Sequence, residues 1–143
     1  MFEARPMALR VLIVDDSTHF LRAARTLLER EGLDVVAEAS TSAEAIEHAY
    51  SLRPDVTLID IDLGDENGFD LARRLAQATG AVAGRLVLVS AYSETDLREL
   101  IDASPVVGFL PKSQLSGNAI RRLLGDGEDG SDGDAVGGPE AEA

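Results

Sequence analysis

The feature that most constrains this chain is the spacing of five short apolar runs: Leu9–Val14, Val35–Glu38, Val56–Ile59, Leu86–Val89 and Val106–Leu110. Each is rich in Val, Ile and Leu with few polar interruptions, the pattern of a parallel strand covered on both faces. The segments between them carry helical spacing. Phe20, Ala24, Leu27 and Leu28 precede Gly32; Ala45, Ile46, Ala49 and Leu52 precede Pro54; Phe69, Leu71, Ala72 and Leu75 precede Gly80. Leu97, Leu100 and Ile101, then Leu115, Ala119, Leu123 and Leu124, continue the alternation. Thr41 and Glu44 form a T-x-x-E capping box, and Asn67 and Ser93 are good N-caps. Asp16 is itself a candidate cap for the first helix. Five strand-then-helix units predict an α/β fold: an open, doubly wound, five-stranded parallel sheet with five helices, since right-handed crossovers lay helices over both faces.

Charge divides the chain into three parts. Residues 1–8 read as a short flexible leader without periodicity, and 9–124 as the folded domain. Residues 125–143 hold seven acids, six glycines and no base, too little apolar surface to offset the entropy of ordering. That tail is expected to be disordered, and its acids miss the spacing of a calcium-binding loop. A net charge of −13 argues against nucleic acid as a direct partner. With no cysteine, disulfides, thiolate metal sites and thiol nucleophiles are excluded. No apolar run approaches the roughly 20 residues of a membrane span, and no export signal is visible, so a cytoplasmic location is expected.

In doubly wound sheets ligands sit beyond the carboxyl ends of the strands. Asp15 and Asp16 follow the first run, Asp60 the third, Ser90 the fourth, and Lys112 the fifth with Pro111 between. All five therefore fall on one rim. Three carboxylates converging in a partly buried place repel one another by several kcal/mol unless a cation neutralises them. Oxygen ligands with no His or Cys nearby suit Mg²⁺, which keeps water and phosphate oxygens as its other ligands. Ser90 and Lys112 can then contact the remaining oxygens of a phosphoryl group. Among 13 basic residues Lys112 is the single lysine, so a compact ammonium stands at the place where a broad guanidinium would fit poorly. His19, His48 and Tyr50 read as ordinary helix residues, and two separated histidines without cysteine are weak grounds for zinc.

The constellation of Val11-Leu12-Ile13-Val14-Asp15-Asp16, Leu58-Ile59-Asp60 with Gly68 eight positions on, Leu88-Val89-Ser90-Ala91 and Gly108-Phe109-Leu110-Pro111-Lys112 resembles the receiver domain of two-component response regulators. The resemblance covers about residues 9–124. It implies the flavodoxin-like strand order 2-1-3-4-5. It also implies that Asp60 is the phosphoacceptor, and that Asp15 or Asp16, with Asp60 and the backbone carbonyl of Asp62, holds Mg²⁺. Ser90 and Lys112 would contact the phosphoryl group, with Ser90 and Phe109 as switch residues. Asp62 and Tyr92 occupy positions that tune access of the hydrolytic water. Such a protein takes its phosphoryl group from a sensor histidine kinase or a phosphotransfer protein. It presents its fourth helix, fifth strand and fifth helix to a downstream protein, as a monomer or a phosphorylation-dependent dimer. It is a signalling phosphoacceptor that assists only its own phosphorylation and dephosphorylation.

The wording Gly108-Phe109-Leu110-Pro111-Lys112-Ser113 is closest to receivers of LuxR-type helix-turn-helix regulators, yet only the acidic tail follows Leu124, so a stand-alone receiver is expected. Where the family commonly has Pro four residues after the acceptor, this chain has Gly64, followed by Asp65 and Glu66. Two alternatives stand beside this reading. One is a receiver-like scaffold that never cycles phosphate. The other is a phosphatase using Asp60-Ile61-Asp62 as a DxD nucleophile, although that motif normally lies on a first strand and here follows the third. A flavodoxin is disfavoured because Asp15-Asp16-Ser17-Thr18-His19 is no Ser/Thr/Gly-rich phosphate loop.

Overall fold

A computed structural model describes residues 8–78, 82–92 and 94–125 of the chain. The expected cap Ser93, the stop signal Gly80, the leader up to residue 7 and the tail from residue 126 lie outside them. The strands are β1 (Arg10–Val14), β2 (Asp34–Ala39), β3 (Val56–Asp60), β4 (Arg85–Ser90) and β5 (Gly108–Pro111). The helices are α1 (Thr18–Arg30), α2 (Ser42–Leu52), α3 (Gly68–Gln77), α4 (Glu94–Asp102) and α5 (Gly117–Leu124). All strand pairs in the main sheet are parallel, in the order β2-β1-β3-β4-β5. This is the flavodoxin-like order that the resemblance to receiver domains implied.

The continuous apolar runs arise because successive side chains serve two cores. Val11 and Ile13 of β1, with Leu58 of β3 and Val87 and Val89 of β4, pack beneath α1 and α5 through Leu21, Ala24, Leu28, Ile120 and Leu124. Leu12, Val14, Ile59 and Leu88 face the other way, toward Ala45 and Ala49 of α2, Leu71 and Leu75 of α3, and Ile101 of α4. Both layers close over the sheet and leave its carboxyl rim to loops.

Several local expectations shift. Ser17, not Asp16, caps α1, its side chain accepting from the Phe20 N–H. The shorter hydroxyl takes the capping role and leaves the Asp16 carboxylate exposed at the rim. The buried stripe of α1 is Leu21, Ala24 and Leu28, so Phe20 and Leu27 lie at its half-buried margins. On α4 Ile101 is buried while Leu100 is 54% exposed, and on α5 Ile120 is fully buried. The capping box of α2 is formed in altered form. Thr41 accepts from the Glu44 N–H, but Glu44 Oε1 accepts from the N–H and hydroxyl of Ser40, one residue earlier than the motif's usual partner. Those Ser40 hydrogen bonds hold the Glu44 carboxyl below its usual range.

Candidate functional site

Each strand that ends at the rim delivers one polar side chain. Asp15 follows β1, and its N–H donates to the Ala39 carbonyl of the neighbouring strand, which fixes it against the sheet. Its side chain is fully buried, and Oδ1 accepts from the Ser17 N–H at 2.8 Å. Asp60 ends β3, is 4% exposed, and accepts from the Asp62 N–H through Oδ1 at 3.2 Å. Ser90 ends β4, is buried, and accepts from the Tyr92 N–H at 2.9 Å, which leaves its own O–H to donate. Lys112 opens a short 3₁₀ turn after Pro111, and its ammonium lies 2.6 Å from Asp15 Oδ2 and 3.4 Å from Asp60 Oδ2. The same ammonium stands 4.4 Å from the centre of the Phe20 ring, within cation–π range.

The structure brings Asp15, Asp16, Asp60, Asp62, Ser90, Tyr92 and Lys112 around one open hollow of about 200 Å³. Tyr92 is 60% exposed at its edge. Phe109 lies away from the hollow, buried in the core beneath α4. Any switch role it has must therefore pass through β5 and not through contact with the site.

Burial pushes the Asp60 carboxyl up to about 6, and the Asp15 charge adds to this against the opposing pull of Lys112 and the Asp62 N–H. Burial pulls the Lys112 ammonium down, but its close ion pair with Asp15 and the charge of Asp60 outweigh that, so it ends above its usual value. One ammonium thus faces more negative charge than it can cancel. Asp15, Asp16 and Asp60 each offer a carboxylate oxygen, all within 4.8 Å of one another. Asp15 Oδ2 is buried, meets the lysine at ion-pair distance, and accepts no aligned hydrogen bond. An all-oxygen donor set with a spare buried lone pair fits a hard divalent cation such as Mg²⁺.

The loop after Asp60 is an element that periodicity could not reveal. Asp62–Leu63 and Glu66–Asn67 pair as a miniature antiparallel hairpin around Gly64 and Asp65. Gly64 has φ +71°, and glycine with positive φ at the first central position is the requirement of a type II′ hairpin turn. The hairpin is tied down on every side. Leu63 is buried in the core, Asn67 caps α3 by accepting from the Phe69 N–H, and Glu66 Oε1 accepts from the Ser42 N–H of α2 at 2.7 Å. The Gly68 N–H donates to the Ile61 carbonyl at 2.8 Å. A Cβ on Gly68 would lie 2.3 Å from the Asp60 backbone oxygen, so this close approach accepts only glycine.

Sequence reasoning missed Ser17, Phe20 and Glu66 as parts of the site. Ser17 was legible as a capping residue beside an acidic pair; the other two act across elements and left no local signal.

Fold and site together define a flavodoxin-like α/β protein with an acidic, cation-compatible hollow at the topological switch point of its sheet. The model of the response regulator receiver domain matches residues 11–123, and the chain belongs to that family. Over 125 residues it is 32% identical to a protein-glutamate methylesterase/protein-glutamine glutaminase of Alkalilimnicola ehrlichii, an alignment covering 82% of this chain and 31% of that protein. The chain thus spans about a third of the length of the curated relatives it matches. Among solved structures it resembles the receiver domain of the putative response regulator NarL from Mycobacterium tuberculosis, with TM-score 0.71 and 26% identity over 84% of this chain and 96% of that one. It also shares its fold with a LuxR-family response regulator from Aurantimonas sp., with TM-score 0.72 and 24% identity over 83% of this chain and 87% of that one. Among the described residues, no helix is long and apolar enough to cross a membrane.

Proposed function

We propose that this receiver is a phosphorylation-dependent switch in which Asp60 accepts a phosphoryl group from the phosphohistidine of a histidine kinase or phosphotransfer protein. The observation that carries this reading is the meeting of three carboxylates within 4.8 Å with the chain's single lysine. A carboxylate oxygen of Asp60 attacks phosphorus as the P–N bond to imidazole breaks, and the imidazole leaves with a proton from solvent. The product is an acyl phosphate. Asp15, Asp16, Asp60 and the Asp62 carbonyl would hold Mg²⁺, which when bound offsets the charge gathered between carboxylates and phosphoryl oxygens. Lys112, already shared between Asp15 and Asp60, can move onto a phosphoryl oxygen, and the Ser90 hydroxyl can donate to another.

The downstream partner is proposed to read the surface of α4, β5 and α5. There Ile101, Val106, Val107, Phe109 and Leu123 line a groove of about 380 Å³. The phosphatase alternative is not favoured, because the chain matches the receiver family over residues 11–123 and Asp60-Ile61-Asp62 follows the third strand and not the first. Incubation with a small phosphodonor and Mg²⁺, followed by intact mass measurement, tests the assignment. One phosphoryl adduct is expected in the parent and none in Asp60→Asn; an adduct that survives in the variant overturns it.

A further inference from the structure

The acceptor site depends on a loop that leaves the sheet and returns, and the metal-facing carbonyl proposed at Asp62 belongs to that loop. Leu63, Asn67 and Gly68 fix the hairpin to its own neighbourhood, the core and the start of α3. Glu66 ties it by a hydrogen bond to a distant element. Its Oε1 accepts from the N–H of Ser42, the first residue of α2 and 24 positions earlier in the chain. That N–H is one of the four unpartnered donors at any helix start. Thr41 takes the Glu44 N–H and Glu44 turns back to Ser40, so neither serves Ser42. Glu66 fills the gap, and the positive end of the α2 dipole favours a carboxylate there.

Resting on the reading that Asp60 and the acid pair hold Mg²⁺, we infer that Glu66 is a positioning residue: its bond to the α2 N-terminus holds the acceptor hairpin, and with it the Asp62 carbonyl, in the metal-competent place. Leu63 pairs with Glu66 across the turn, and Asp62 with Asn67, so a displacement of Glu66 is passed directly to the Asp62 strand. Gly64, at the tip, stands beside the Asp16 carboxylate; a Cβ there would lie 3.1 Å from Asp16 Oδ2. The docked hairpin thus sets its tip directly against the acid pair.

The test separates hydrogen bonding from charge and from general stability. Glu66→Ala removes the acceptor, whereas Glu66→Gln keeps an oxygen for Ser42 and loses the charge. Ser42→Pro removes the donor from the other side; proline is well tolerated at the first helical position, and Thr41, with φ −136° and ψ 162°, already has the extended backbone that precedes proline. Mg²⁺ affinity of the full chain is read by amide NMR titration at a temperature where circular dichroism shows every variant folded. Hydrogen exchange of the Asp62 and Gly68 amides is read in metal-free buffer. Loss of one such bond is expected to weaken Mg²⁺ binding about three- to tenfold in Glu66→Ala and in Ser42→Pro. The double variant should be no weaker than either single one, and Glu66→Gln should stay within about twofold of the parent. Faster exchange at Asp62 and Gly68 is expected in the two weakened variants. Parent-like Mg²⁺ affinity in Glu66→Ala, equal losses in Gln and Ala, or additive losses in the double variant overturn the inference. A parent whose acid-pair amides ignore Mg²⁺ overturns the metal reading itself, and the inference with it.

Discussion

At the scale of single residues the site is held in a state that wants one more positive charge. Burial and the Asp15 charge push the Asp60 carboxyl up to about 6. Its native pKa of about 6 lies above the model-peptide 3.8, so between those values the folded state binds more protons than the unfolded one. Stability contributed by Asp60 is therefore complete below about pH 4 and is lost as the pH rises through about 6. The penalty at neutral pH is on the order of 2 kcal/mol. Asp60→Asn should accordingly raise the melting temperature of metal-free protein by several degrees at pH 7. The advantage should shrink toward zero near pH 4; a variant that is less stable than the parent at pH 7 without metal contradicts this account. The complementary prediction concerns the cation. Millimolar Mg²⁺ should stabilise the parent by mass action, and Asp16→Ala should lose most of that shift in thermal melting. An unchanged shift in variants of both Asp15 and Asp16 places the metal elsewhere.

At the scale of elements, the sequence spoke clearly wherever a segment serves two cores or ends at a cap. The runs around Val11–Val14 and Leu86–Val89 could be read as strands because neither face of the sheet tolerates polar residues. The five rim residues followed from where those runs stop. What stayed hidden was the hairpin after Asp60, since strands of two residues carry no periodicity and their anchors, Glu66 on Ser42 and Gly68 on Ile61, are not sequence neighbours. Gly64 looked like a departure from the family's proline; it is the residue its turn requires. Proline fixes φ near −65°, and Gly64 has φ +71°. Gly64→Pro, a change toward the commoner family residue, should therefore destabilise this protein by more than about 1 kcal/mol in chemical denaturation. A stabilised Gly64→Pro shows that the loop takes the commoner path in solution. Phe20 was hidden for a related reason: its contact with Lys112 joins α1 to the end of β5, and only the closed sheet brings them together.

At the scale of the whole molecule, the question is how a charge placed at Asp60 is felt on a distant face. An acyl phosphate at Asp60 would carry about −1.5 to −2 charges where the carboxylate carried one. The groups placed to answer are Ser90 and Lys112, and both lie at the ends of strands that pair directly, Ser90 with Pro111 and Leu88 with Phe109. Moving Lys112 from Asp15 toward a phosphoryl oxygen draws on β5, and Phe109 shares that short strand. Since Phe109 and Ile101 share one core cluster, the proposed switch would act by a small translation of β5 that repositions α4 and alters the groove bordered by Val107 and Leu123. On that proposal a partner reading this face would bind the phosphorylated state preferentially, and by linkage would favour that state in return. The chain has no Trp, so amide NMR with beryllofluoride as phosphoryl mimic is the direct measurement. Shifts are expected to spread from Asp60 and the hairpin through Ser90 and Tyr92 into α4 and along Gly108–Pro111, while α2 beyond its first turn stays nearly unchanged. Shifts confined to the hairpin and the acid pair mean that the site takes up the phosphoryl mimic without switching.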